Sequence, residues 1–125
     1  MPGYRTFRRD EVEFAKPSGG NQERGIVRLS DAMQNMRANI WRLPPGVRGR
    51  RHRELVQEEI FVALEGTATL FLGEDKEPVE LPQGSVVVVE PQTAVQLANE
   101  DGQDAVVLIV GAPPTQGEAE YLPDA

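Results

Sequence analysis

The chain contains no cysteine, one histidine, one tryptophan and two lysines in 125 residues. Without cysteine there can be no disulfide, no thiolate metal site and no thiol nucleophile. One histidine leaves little room for a hydrolytic triad, and neither a G-x-S-x-G elbow nor a phosphate-cradling glycine loop is present. No apolar run approaches the roughly 20 residues of a membrane-spanning helix. The opening stretch MPGYRTFRRDEVEF lacks the apolar core of a secretion signal. A soluble, cytoplasmic protein with no membrane partner is therefore expected.

What remains is an apolar fraction of 39 %, rich in valine, on a chain the length of one domain. A domain of this size buries roughly two thirds of its unfolded surface. Charge is split along the sequence. Residues 1–53 carry twelve basic against five acidic side chains, a net of +7. Residues 54–125 carry one lysine against fifteen acids, a net of −14. The acidic total of −7 argues against a nucleic-acid partner, which needs a basic face to release counterions.

Along the chain, short β-rich runs alternate with turns. Strands are expected at RGIVRLS (24–30), MRANIWRL (36–43), EIFVALEG (59–66), TATLFLG (67–73), PVEL (78–81), SVVVVE (85–90), AVQLAN (94–99) and DAVVLIVG (104–111). In the second of these, Met36, Ala38 and Ile40 alternate with Arg37, Asn39 and Trp41, the period of a strand. The four valines read as a strand buried on both faces. Glu65-Gly66 reads as a hairpin turn. SDAMQNM (30–36) is the one helix-like stretch, with Ser30 as its N-cap. Trp41, Phe61 and Phe71 read as core residues, and Phe61 shares the face of Glu59. The pattern predicts an all-β sandwich or small barrel over 25–111. An N-terminal segment (1–24) is available as an added edge strand. A Pro- and acid-rich C-terminal tail (112–125) follows, whose Tyr121 and Leu122 can pin it to a barrel face.

Two stretches carry a family resemblance. PPGVRGRRHRELVQEEIFVALEG resembles the first motif of the cupin superfamily, G-x5-H-x-H-x3,4-E-x6-G, with Gly46, His52, Glu59 and Gly66 at its spacing. LPQGSVVVVEPQTAVQLAN resembles the second, G-x5-P-x-G-x2-H-x3-N, with Gly84 and Asn99 in place. The resemblance implies a single-domain jelly-roll β-barrel with its pocket inside, and association into dimers. It also implies a divalent metal held by three imidazoles and a carboxylate. Here the second histidine of the first motif is Glu54 and that of the second motif is Val95. What is left for a metal is His52 and Glu59, with Glu54 as a third donor, since alternation along a strand puts 52 and 54 on one face. One imidazole and two carboxylates suit Mn, Fe, Zn or Ni, weakly held. Without metal, the same groups are remnants that hydrogen-bond one another.

The arginines around His52 sort by parity. Arg50 shares the parity of His52 and is the candidate for gripping an anionic ligand at the pocket mouth. Arg51 and Arg53 are expected outside the pocket. The alternative is a basic loop neutralised by Glu54, Glu58 and Glu59. Three functions follow. The first is a small-molecule-binding barrel with a degenerate metal site, its ligand contacted by Arg50, Phe61 and Val95. The second is a metal-dependent enzyme of oxygenase, isomerase or decarboxylase type using His52, Glu54 and Glu59. The third is a structural role with the interior filled by side chains. Glu54 and Glu59 are also the one pair to test as a glycosidase acid and base. A homodimer is expected because GIVRLS and DAVVLIVG are apolar at both parities and a barrel interior covers one side.

Overall fold

Runs of valine, isoleucine, leucine and threonine, punctuated by proline and glycine, form ten strands among the described residues of the computed structural model. The structure describes residues 3–114 and 118–125; residues 1–2 of the N-terminal segment and 115–117 of the C-terminal tail lie outside the described residues. The strands are β1 (Gly25–Val27), β2 (Arg37–Leu43), β3 (His52–Glu54), β4 (Glu58–Glu65), β5 (Thr67–Leu72), β6 (Glu77–Pro82), β7 (Val86–Val89), β8 (Val95–Ala98), β9 (Ala105–Ala112) and β10 (Ala119–Tyr121). They make two antiparallel five-stranded sheets, ordered β1-β2-β9-β4-β7 and β10-β3-β8-β5-β6. The inner faces meet in one core. Leu43, Phe61, Ala63 and Val107 come from the first sheet, and Ala68, Leu70, Leu81, Val95 and Leu97 from the second. Burying a side chain such as Phe61 contributes about 1.5–3 kcal/mol.

Glu65-Gly66 is not the hairpin turn expected: β4 and β5 do not pair, and at Gly66 the chain crosses from the first sheet to the second. The Gly66 φ of +68° lies in the left-handed region, and a Cβ there would strike the Asp104 carbonyl oxygen. Both constraints select glycine. Ala15 pairs antiparallel with Ile26 through two backbone hydrogen bonds of 2.9 and 2.8 Å, so the N-terminal segment extends the β1 edge of its own chain.

Four other expectations need correction. The first is the place of Trp41 and Phe71. Trp41 pairs with Ile26 and Val107, and Asn39 with Ile109, residues of the inner face, while Ala38 and Ile40 face outward with Leu108 and Val110. The polar side of the strand lines a cavity, so hydrophobicity alone points the wrong way. Trp41 stands at that cavity rather than deep in the core. Phe71 is paired with Gln96 on the outer face of the second sheet, and the Arg48 guanidinium covers it at 4.8 Å.

The second is the valine run. Val89 is buried, but Val86 and Val88 are 54 % and 63 % exposed, because β7 is an edge strand whose outer face nothing among the described residues covers. The third is the helix, which is one 3-10 turn, Leu29–Ala32. Ser30 does not cap it; its hydroxyl donates to the Ala38 carbonyl oxygen and accepts from the Ala38 amide, fastening the turn to β2. The fourth is the tail. Ala119–Tyr121 is a strand of the second sheet, paired with β3, and the residues after it strap the outer side. Leu122 donates to the Arg51 carbonyl oxygen, and the Ala125 amide to Gln96 Oε1. Among the described residues, no helix is long and apolar enough to cross a membrane.

Candidate functional site

β3 presents His52 and Glu54 two residues apart, hence on one face, and that face is inward. Cross-strand pairing fixes their surroundings: Val95 of β8 is the partner of His52 on one side, and Tyr121 of β10 on the other. Glu59 enters from β4 in the opposite sheet, on the inner face it shares with Phe61 and Val89. The two sheets therefore converge on a small polar cluster.

Within it, His52 Nε2 lies 3.3 Å from Glu54 Oε2 and 3.5 Å from Glu59 Oε1. His52 Nδ1 is 3.4 Å from the Arg50 carbonyl oxygen. Burial works against the imidazolium, but its polar contacts with the Glu54 and Glu59 carboxylates and their charges outweigh it and push the pKa up to about 10. The ring is thus a cation between two carboxylates. Glu59 is buried, and its Oε1 makes no well-formed hydrogen bond among the described residues; the 3.5 Å approach to His52 is a charge contact.

One donor atom from each of His52, Glu54 and Glu59 lies within 4.8 Å of the others. An imidazole nitrogen and two carboxylates at this spacing fit a divalent cation, and the orphaned Glu59 oxygen is the kind of donor such an ion satisfies. These three residues would hold it, and the ion would supply Lewis-acid chemistry to a ligand oxygen in the cavity. Loading it requires His52 to give up its proton.

The cluster opens onto a cavity of about 330 Å³. Of the residues expected there, Arg50, His52, Glu54 and Phe61 line it, whereas Glu59, in contact with His52, is not among the lining residues. Val95 faces inward beside His52 but is 1 % exposed and belongs to the packed core. Arg51 and Arg53 are elsewhere. Arg51 is buried beneath the C-terminal strap, donating to the Pro123 and Gly73 carbonyl oxygens, and Arg53 pairs with Glu74 at 2.7 Å.

Several lining residues escaped sequence reasoning: Arg24, Arg28, Arg37, Asn39, Trp41 and Tyr121. The signal available for Arg37, Asn39 and Trp41 was their shared parity on β2. For Arg24 and Tyr121, which reach the cavity from segments far apart in sequence, there was none. Arg24 stacks on Trp41 at 4.5 Å, and Arg50 on Tyr121 at 3.5 Å. The Asn39 Oδ1 atom is buried without a hydrogen-bond partner among the described residues.

Two facing antiparallel sheets enclosing a polar cluster define a double-sheet β-roll with an internal site. A family model described as the Cupin domain matches residues 39–111, more than half of the chain. The chain belongs to the cupin family. Its fold is similar to that of a sugar phosphate isomerase of the cupin superfamily from Silicibacter pomeroyi, with 24 % identity over 96 % of this chain and 83 % of that one, TM-score 0.80. It is also similar to the polyketide cyclase RemF from Streptomyces resistomycificus, with 17 % identity, coverage of 98 % and 87 %, and TM-score 0.78. A predicted oxalate decarboxylase from Thermotoga maritima is 23 % identical, with coverage of 86 % and 97 % and TM-score 0.74. At these identities the likeness is one of fold. Among curated proteins, none matches in sequence.

Proposed function

We propose that this cupin is a small-molecule-binding barrel whose ligand enters the cavity beside His52, Glu54 and Glu59. The observation that carries the reading is the cavity itself. It has room for a small organic molecule, and its wall mixes the aromatic faces of Trp41, Phe61 and Tyr121 with polar groups that converge on it. Asn39 Oδ1 and Glu59 Oε1, both buried without hydrogen-bond partners among the described residues, are acceptors that a ligand or ion would satisfy.

The second reading, a metal-dependent enzyme, rests on the same Glu59 oxygen and the donor spacing of the His/Glu/Glu group. The family context supports it as well, since the names of the similar structures include isomerase, cyclase and decarboxylase. A thermal-shift screen of small molecules, run with and without Mn²⁺, separates the two. Stabilisation by a small molecule without metal supports the binding barrel, and stabilisation that requires Mn²⁺ supports the enzyme. No shift in either series refutes both.

The protein is proposed to work as a homodimer. Ile40, Ile60, Val62, Leu108 and Val110 lie with Val86 and Val88 on the outer face of the first sheet, an apolar surface that a second copy would cover. Its location is proposed to be the cytoplasm.

A further inference from the structure

We infer that the cavity contains an oxyanion subsite formed by Arg24 and Arg50, beside the His52/Glu54/Glu59 cluster, and that the ligand is a small acid bearing a carboxylate or phosphate. The inference rests on the cavity being a ligand site, and it names the chemical class that the site takes. Four arginines line the cavity (Arg24, Arg28, Arg37 and Arg50), and the one carboxylate in that lining, Glu54, is already engaged with His52. Arg37 has a partner of its own, so Arg24, Arg28 and Arg50 give the wall its cationic character in a protein of net charge −7.

Arg24 and Arg50 are the telling pair. Both side chains close on the Gly19-Gly20 turn: a Cβ at Gly20 would meet Arg24 Nη2 and the Arg50 Cγ and Cδ atoms, and a Cβ at Gly19 would meet Arg50 Nη1, so the two arginines are neighbours. Arg24 is 7 % exposed. Among the described residues neither has a carboxylate within ion-pair distance. Arg24 donates to the Gly19 and Asn21 carbonyl oxygens, and Arg50 rests on the Tyr121 ring. Burial and the neighbouring Arg50 charge both lower the Arg24 pKa. Like charges held together at a cavity wall without a counter-ion are costly unless something anionic joins them. Stacking on Trp41 and Tyr121 orients the planar forks, which suits bidentate contact with a carboxylate or phosphate.

The test is calorimetric titration with inorganic phosphate and with malonate at constant ionic strength, alongside glycerol as an uncharged probe and Mn²⁺ as a probe of the other cluster. Saturable binding of at least one anion is expected. In R50Q it should weaken by about tenfold or more, since a charge-assisted bond is lost. R50K keeps the charge without the fork and should fall between R50Q and wild type. R53Q, whose parent side chain pairs with Glu74 away from the cavity, should bind anions as wild type does. Melting curves on each variant confirm folding before binding is compared. Absence of saturable anion binding, or equal binding by wild type and R50Q, overturns the subsite. Glycerol or Mn²⁺ binding in that case would leave the cavity reading standing, so the two failures are distinguishable.

Discussion

Val95 sits directly across the β3–β8 pair from His52, on the same inward face, with its isopropyl group packed into the core. The second cupin motif puts an imidazole at that position. One substitution therefore removes a donor and makes that wall apolar, leaving His52, Glu54 and Glu59 as the remaining set. Two of these three donors are carboxylates, which hold late transition ions less firmly than imidazoles do. No stoichiometric Zn, Fe, Ni or Mn should survive extensive dialysis of the purified protein. V95H should tighten divalent-ion binding by at least roughly tenfold, about 1.4 kcal/mol, and H52A should abolish it. Elemental analysis and calorimetry check both.

His52 is the sole histidine, so its titration can be followed by NMR without assignment ambiguity. The imidazolium should persist to about pH 10. Because the folded-state value is raised above the ordinary 6.5, the stability it contributes is complete below pH 6.5. That stability declines as pH rises through about 10. Divalent ions compete with this proton, so their affinity should rise with pH across the same window. A midpoint near 6.5 in the metal-free protein would show that Glu54 and Glu59 do not hold the ring.

Asn99 is fully buried and holds three backbone groups. It donates to the Leu43 and Gln103 carbonyl oxygens at 2.8 and 2.7 Å and accepts from the Asp101 amide at 2.9 Å. N99A leaves these unsatisfied and should destabilise the protein by about 3 kcal/mol or more, at about 1–3 kcal/mol per orphaned group. Urea denaturation measures it.

Most strand positions along the chain and much of the site were legible because motif spacing and turn residues are local signals. His52, Glu59, Gly66 and Asn99 are fixed by spacing, and Glu54 by strand parity. The inward face of β2 was not legible. Apolar residues usually mark the inside, yet Ala38 and Ile40 face out here while Arg37, Asn39 and Trp41 line a polar cavity. β10 was hidden for another reason. Its pairing with β3 joins segments far apart in sequence, and AEY carries no strand pattern of its own.

The exposed apolar face of the first sheet sets the assembly prediction. Val86 and Val88 lie at its edge, and V88E should shift a dimer toward the 13.8 kDa monomer by placing a charge in the contact. Light scattering at micromolar concentration reads it. A monomer in the wild type would remove the dimer and leave the cavity argument intact.

The central claim is that the two sheets bring His52, Glu54 and Glu59 together as a cation-competent cluster at the floor of a ligand cavity. A crystal soaked in millimolar Mn²⁺ above neutral pH, recorded at the manganese absorption edge, tests it most directly. An anomalous peak bonded by His52 Nε2 and one oxygen each of Glu54 and Glu59 is the expected result. A crystal that shows no peak there, or manganese bound only at surface carboxylates, would contradict it.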